Sequence, residues 1–238
     1  MLIYENEEGK YVYIHIPKAA GKYIRTTIKK NTANKIIKEH WWVVDNLDNA
    51  HIPYILKDQF LDNAAAFKYY TYVRDPYDKI ISSYKYRMEF LNTPYTITNF
   101  RNFIKKELAI FDFNYTYPAN YIHYYPQYLF ICDKNSDISN VKWEKIESLS
   151  PPPLYDINIY LDDESLQIIN RIYDKDFELF HYKKITAITK LKCANINCSY
   201  VRHSDPDNNK GTHCCLCCMN GSSHGPLCEK IQLSRTER

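Results

Sequence analysis

The chain has 238 residues, which fits one medium domain with an appendage or two small domains. With 45% apolar and 25% charged residues the composition is ordinarily globular, and the larger part can bury a core without covalent staples. A net charge of +3 excludes the broad basic surface that nucleic acids or acidic membranes select, so any anion site must be local. No apolar run approaches the roughly 18 residues of a membrane helix. Residues 1–10 are polar and acidic, unlike a signal peptide, so the expected compartment is the cytosol. The 23 tyrosines, with abundant Ile, Lys and Asn, point to an AT-rich genome, a viral one included.

In chain order, residues 11–16 are β-branched and aromatic and stop at Pro17, which predicts a buried strand. Residues 22–30, past Gly21, have helical composition. Residues 69–73 predict a second strand that ends at Arg74, Asp75 and Pro76, and proline suits the first turn of the helix that follows. Ile80, Ile81, Tyr84 and Met88 fall on one face of that helix. Residues 128–132 predict a third strand and residues 141–146 a fourth. Pro151, Pro152 and Pro153 predict a stiff extended break. Asp162, Asp163 and Glu164 then open a helix whose apolar stripe is Ile168, Ile169, Ile172 and Tyr173. Strands alternating with helices predict an α/β fold.

Gly9 and Gly21 are the only glycines ahead of the cysteine-rich tail, which excludes a G-x-G-x-x-G turn and a full G-x-x-x-x-G-K-[ST] loop. Two other loops suit phosphates. Pro17, Lys18, Ala19, Ala20, Gly21 and Lys22 lie between a strand and a helix, where backbone N–H groups converge on an anion and small residues let it approach. The same residues also make a tight turn with two solvated lysines. Arg74, at the end of the second strand, can fork onto a phosphate, with Ser82 and Ser83 one to two turns into the next helix. Its bland alternative is an Arg74–Asp75 pair capping that helix. Two such loops at successive strand ends lie where ligands of open α/β sheets bind.

Tyr13, Ile14, His15, Ile16, Pro17, Lys18, Ala19, Ala20 and Gly21 resemble the 5′-phosphosulfate loop of the sulfotransferases that use 3′-phosphoadenosine-5′-phosphosulfate (PAPS). The run from Tyr72 through Arg74 to Ser82 resembles their 3′-phosphate motif, an Arg followed eight positions later by a Ser. His123, Tyr124, Tyr125, Pro126 and Gln127 are similar to a His-x-x-Pro-Gln segment of Golgi-type carbohydrate sulfotransferases, and residues 174–180 look like the end of that domain. The resemblance implies a P-loop-like sulfotransferase fold with a central, mainly parallel sheet over residues 1–190. It implies that Lys18, Ala19, Ala20, Gly21, Lys22, Tyr23, Arg74 and Ser82 hold the nucleotide, and that Lys18 neutralises charge on the leaving bridge oxygen. His123 is then the expected base for an acceptor hydroxyl, expected on a carbohydrate, with His51 and His15 as lesser candidates and His15 rather structural. The chain departs from the family at Lys22 and Tyr23, where hydroxyl residues are usual, and it shows no Golgi anchor. Trp41 and Trp42 suit stacking on a sugar or adenine, or anchoring in the core.

Cysteine use is lopsided: of 8 cysteines only Cys132 precedes Cys193, which marks residues 191–238 as a separate module. Thiolates two to four residues apart are zinc-chelating spacing, met by Cys215 with Cys218 or Cys214 with Cys217. The tail's Cys and His side chains suffice for one or two tetrahedral sites, and at least one structural zinc held by Cys193, Cys198, Cys215 and Cys218 is the expectation, with disulfides as the alternative that a cytosolic chain disfavours. Two other functions fit the same residues. One is a binder of nucleotide or glycan on a degenerate sulfotransferase fold, and the other is an interaction protein acting through its tail.

Overall fold

The computed structural model of the chain describes residues 1–149, 155–203, 207, 212–221, 223–225 and 228–232; Pro151, Pro152 and Pro153 lie outside them. The first half of the chain carries strands β1 (Leu2–Asn6) and β2 (Gly9–Tyr13), helix α1 (Gly21–Lys30), then β3 (Lys35–Glu39), β4 (Val43–Val44), β5 (Leu47–Asp48) and β6 (Lys68–Val73). Helices α2 (Pro76–Phe90), α3 (Ile97–Lys106) and α4 (Tyr128–Ile131) follow, then strand β7 (Val141–Lys145). The last elements are α5 (Ile157–Tyr160), α6 (Asp163–Ile172), α7 (Asp174–Leu179) and the short α8 (Leu216–Met219). By its contacts the chain divides into two units. The first comprises Met1–Ser83, Asp112–Leu154 and Tyr173–Lys183, and the second comprises Tyr84–Phe111, Tyr155–Ile172 and Lys184–Arg238.

The sheet of the first unit has the order β3-β1-β2-β6-β7, with β2, β6 and β7 parallel and β1 antiparallel to both its neighbours. Only β1 is reversed, so the carboxyl ends of the other four strands share one edge. Gly9 closes the β1–β2 hairpin at φ 132, a backbone setting that side chains rarely tolerate. Along β6 every second residue is buried (Tyr69, Thr71, Val73), the period of a strand with one covered face. Helix α1 lays Ile24 and Ile28 against Leu2, Tyr4, Tyr13 and Ile146. Its buried Arg25 bonds Glu39 at 3.0 Å and the carbonyls of His40 and Ala50 at 3.3 and 2.9 Å, while stacking on Trp41.

The α/β class and the strands at 69–73 and 141–146 agree with the reading of the sequence, and so do α1, α2 and α6. Residues 128–132 do not form a strand. They form the helical turn α4, because Pro126 leads into it and the Asp176 carboxylate accepts the N–H groups of Gln127 and Tyr128 at 2.7 and 2.9 Å. Leu129, Phe130 and Ile131 are all buried, and a short continuous apolar run has no period that tells strand from helix.

In the second unit α3 packs on α6. Lys105 bridges Asp162 and Glu164 at 2.7 and 2.9 Å, and Arg101 donates to the carbonyls of Ile159, Tyr160 and Leu161, satisfying the end of α5. Tyr84 stacks on Phe100 and Phe103. The first turn of α3 is capped twice: Thr96 accepts from Asn99 N–H at 3.1 Å, and the Asp207 carboxylate accepts from Ile97 and Thr98 N–H at 2.8 and 2.7 Å. Among the described residues no helix is long and apolar enough to cross a membrane.

Candidate functional site

Beyond β2 the chain stays beside β6, with Ile14 N–H donating to the Tyr70 carbonyl at 3.0 Å and the Thr71 hydroxyl to the Ile14 carbonyl at 2.7 Å. It then turns through Lys18 (φ 63) and Ala20 (φ 57), two left-handed residues on either side of Ala19. Such settings cost a non-glycine residue on the order of 1 kcal/mol each and persist where the surroundings demand them. They deliver the chain directly into α1, whose N-terminus has no side-chain cap and no acidic residue in its first turn. The first intrahelical bond comes from Ile24 to Ala20, so the N–H groups of Gly21, Lys22 and Tyr23 have no acceptor within the helix. Gly21 is required by contact: a Cβ there would overlap the His15 imidazole. Ala19 is buried, Lys18 half-buried, and Lys22 and Tyr23 are exposed.

Arg74 leaves the end of β6 and is 5% exposed; its Nη1 donates to the Lys18 carbonyl at 3.3 Å, tying the two loops together. Asp75 caps α2 by accepting from Tyr77 N–H at 2.9 Å, and its own N–H donates to Glu147 at 3.0 Å. Burial, with Asp78 and Glu147 nearby, lifts the Asp75 acid to about 6. Ser82 is half-buried on α2. Ser83 is fully buried, with its hydroxyl 2.9 Å from the carbonyls of both Lys79 and His123.

His123 is brought to the same side by groups that the motif reading did not assign. Lys79, wholly buried, donates to the carbonyls of His123 and Tyr125 at 2.9 Å each. Gln127 clasps the Arg74 backbone, accepting its N–H at 2.9 Å and donating to its carbonyl at 2.8 Å. Asp176 accepts the N–H groups of Gln127 and Tyr128 from the far side. Burial depresses the Lys79 ammonium and lifts the Asp176 acid. The sequence signal for Lys79 was a lysine beside Ile80 on the apolar face of α2, one turn before Ser83.

Three histidines follow one another. The rings of His15 and His51 lie 4.3 Å apart, and those of His51 and His123 lie 5.1 Å apart, edge to face. His51 Nδ1 lies 2.7 Å from the His15 carbonyl, which can only accept, so Nδ1 carries the hydrogen. His51 Nε2 therefore faces the Asp48 carboxylate at 3.8 Å. Asp48, His51 and His123 offer three ligand atoms within 4.8 Å of one another. Burial holds all three imidazoles neutral, and His123 falls to about 3 with the Lys79 and Lys18 cations adding to the effect.

In the tail, Cys193, Cys198 and Cys218 come together with Cys214, and Cys215 groups instead with Cys214, His224 and Cys228. Either set is spaced to hold a metal ion. Cys217 belongs to neither; His203 faces Glu229 and His213 bonds Thr212. No protein-family model, no curated protein and no solved structure matches this chain.

Proposed function

We propose that the first unit is a transferase that moves a sulfuryl group from PAPS to an acceptor hydroxyl, a carbohydrate hydroxyl first among them. One observation carries the reading: the loops at Lys18 and Arg74 meet at the carboxyl ends of the adjacent parallel strands β2 and β6, joined by the Arg74–Lys18 bond, with His123 held beside them. Backbone N–H groups of Gly21, Lys22 and Tyr23 would take the 5′-phosphosulfate at the uncapped start of α1, with Lys18, Ala19 and Ala20 forming the turn that lets it approach. Arg74 and Ser82 would take the 3′-phosphate and so set the register. Sulfuryl transfer is a loose in-line displacement governed by position and charge. Lys18 would meet charge growing on the bridge oxygen, and neutral His123 would accept the acceptor proton. Lys22 would supply a cation where a hydroxyl contact is usual. The tail would stabilise the second unit by holding zinc.

The test is calorimetry with 3′-phosphoadenosine 5′-phosphate and AMP, followed by transfer from labelled PAPS to glycan, tyrosyl-peptide and simple alcohol acceptors. The wild type should prefer the bisphosphate, and Arg74→Ala should lose that preference, a charge-assisted contact of about 1.5–3 kcal/mol. Lys18→Ala should depress turnover far more than it weakens the bisphosphate. Equal wild-type affinity for both nucleotides overturns the reading; preference without transfer leaves a binder on the same scaffold.

The Nδ1–H bond of His51 favours a second reading of the acceptor side. With that hydrogen fixed, Nε2 is a lone pair aimed at Asp48, the second-shell arrangement of a metal-bound imidazole. If Asp48, His51 and His123 hold a divalent cation, chelation abolishes transfer without weakening nucleotide binding, whereas His123 acting as a free base is indifferent to chelator.

A further inference from the structure

The tail has an unusual core. Its buried cluster consists of Cys193, Cys198, Cys214, Cys215, Cys218 and Cys228, with Tyr200 and Cys217 packed against it. Thiols give little cohesion of their own, and none of these cysteines is paired as a disulfide. The Cys193–Cys218 and Cys198–Cys214 sulfurs lie 3.6 and 3.5 Å apart, far beyond an S–S bond of about 2.05 Å. They match the edge of a tetrahedron of zinc–sulfur bonds, about 3.8 Å when each bond is about 2.3 Å.

The second set repeats the pattern around His224. Its Nδ1 lies 3.3 Å from Cys214 Sγ, 3.4 Å from Cys228 Sγ and 3.9 Å from Cys215 Sγ. Tyr200 packs edge-on against the imidazole at 4.7 Å and fixes its plane. Cys214 is the only side chain common to both sets. Backbone N–H groups also point at sulfur: Cys214 at Cys193, Cys218 at Cys215 and Tyr200 at Cys198, each 3.4 Å away. Such donors stabilise thiolates more than thiols.

We infer that the tail holds two zinc ions joined through the Cys214 thiolate. One ion takes Cys193, Cys198, Cys214 and Cys218, and the other takes Cys214, Cys215, His224 and Cys228. Two tetrahedral ions need eight ligand positions, and seven side chains fill them only because one sulfur serves twice. Both coordination shells are then closed, which marks the ions as structural rather than catalytic. Loading two Zn²⁺ displaces the protons of the six thiols, and these go to solvent. Cys217 is left out because its side chain packs on Gly225, where a Cβ would lie 2.7 Å from its sulfur. None of this depends on the transferase reading.

The test is metal content and ¹¹³Cd NMR on the full chain. Elemental analysis of protein prepared without chelator should give two zinc per chain. The cadmium form should show two resonances, one of an all-sulfur site and one with a nitrogen ligand, coupled to each other through the shared sulfur. Cys228→Ser should keep the all-sulfur resonance and about one ion, and Cys214→Ser should retain fewer than two. Two uncoupled resonances, a single ion in the wild type, or two ions retained by Cys214→Ser would each overturn the inference.

Discussion

Position 21 is where the loop and the histidines touch. The ring of His15 fills the space that a Cβ on Gly21 would occupy, and His15 also presents its carbonyl to His51. Gly21→Ala must therefore push the imidazole or the start of α1 aside, an overpacking of about 1–3 kcal/mol. Thermal unfolding should show that loss for Gly21→Ala and a partial recovery in Gly21→Ala with His15→Ala, a non-additivity expected of side chains in contact. If the two changes add, the ring does not set the glycine requirement.

On the scale of elements, the His123–Gln127 segment is fastened from three directions: Lys79 from α2, Asp176 from α7 and the Arg74 backbone from the end of β6. Helix α2 begins on Asp75, whose carboxyl burial lifts from 3.8 to about 6. A carboxyl raised in the folded state favours folding while it is protonated. That contribution is complete below about pH 4 and is lost as pH rises through about 6. Asp75→Asn keeps an N-cap acceptor but no charge, so chemical unfolding between pH 4 and 7 should show a flatter pH dependence than the wild type. An unchanged slope would mean that Asp75 ionises as freely folded as unfolded. Much of this framework was legible in the sequence. The strands at 69–73 and 141–146 and the helices at their ends were marked by β-branched runs, Pro76 and helical periodicity. Strand β1 was hidden because Glu5 and Asn6 made the start of the chain look polar, although Leu2, Ile3 and Tyr4 are buried. The Lys79, Asp176 and Gln127 contacts span 44 to 53 positions, and no local pattern announces a bond of that range. In the tail, spacing identified the ligand types but not their partition, since Cys214 and Cys215 are neighbours with equal claims until the backbone sends them to different sets.

For the molecule as a whole, the tail is part of the second unit's own fold. Its candidate ligands are far apart in sequence, Cys198 and Cys214 being separated by 16 positions, and metal binding would hold the ends of that segment together. Asp207 falls between them in sequence, and its carboxylate closes the first turn of α3. The metal state of the tail should therefore be readable at a helix that contributes none of the ligands. On chelation, deuterium should enter the Ile97 and Thr98 amides markedly faster, while the amides of Phe103 and Ile104, deeper in α3, stay slow. Unchanged exchange at Ile97 and Thr98 would show that Asp207 keeps its place without metal. The Asp207 carboxylate is a latch on α3, and if the tail holds the zinc inferred above, zinc supply would govern how often the start of that helix opens.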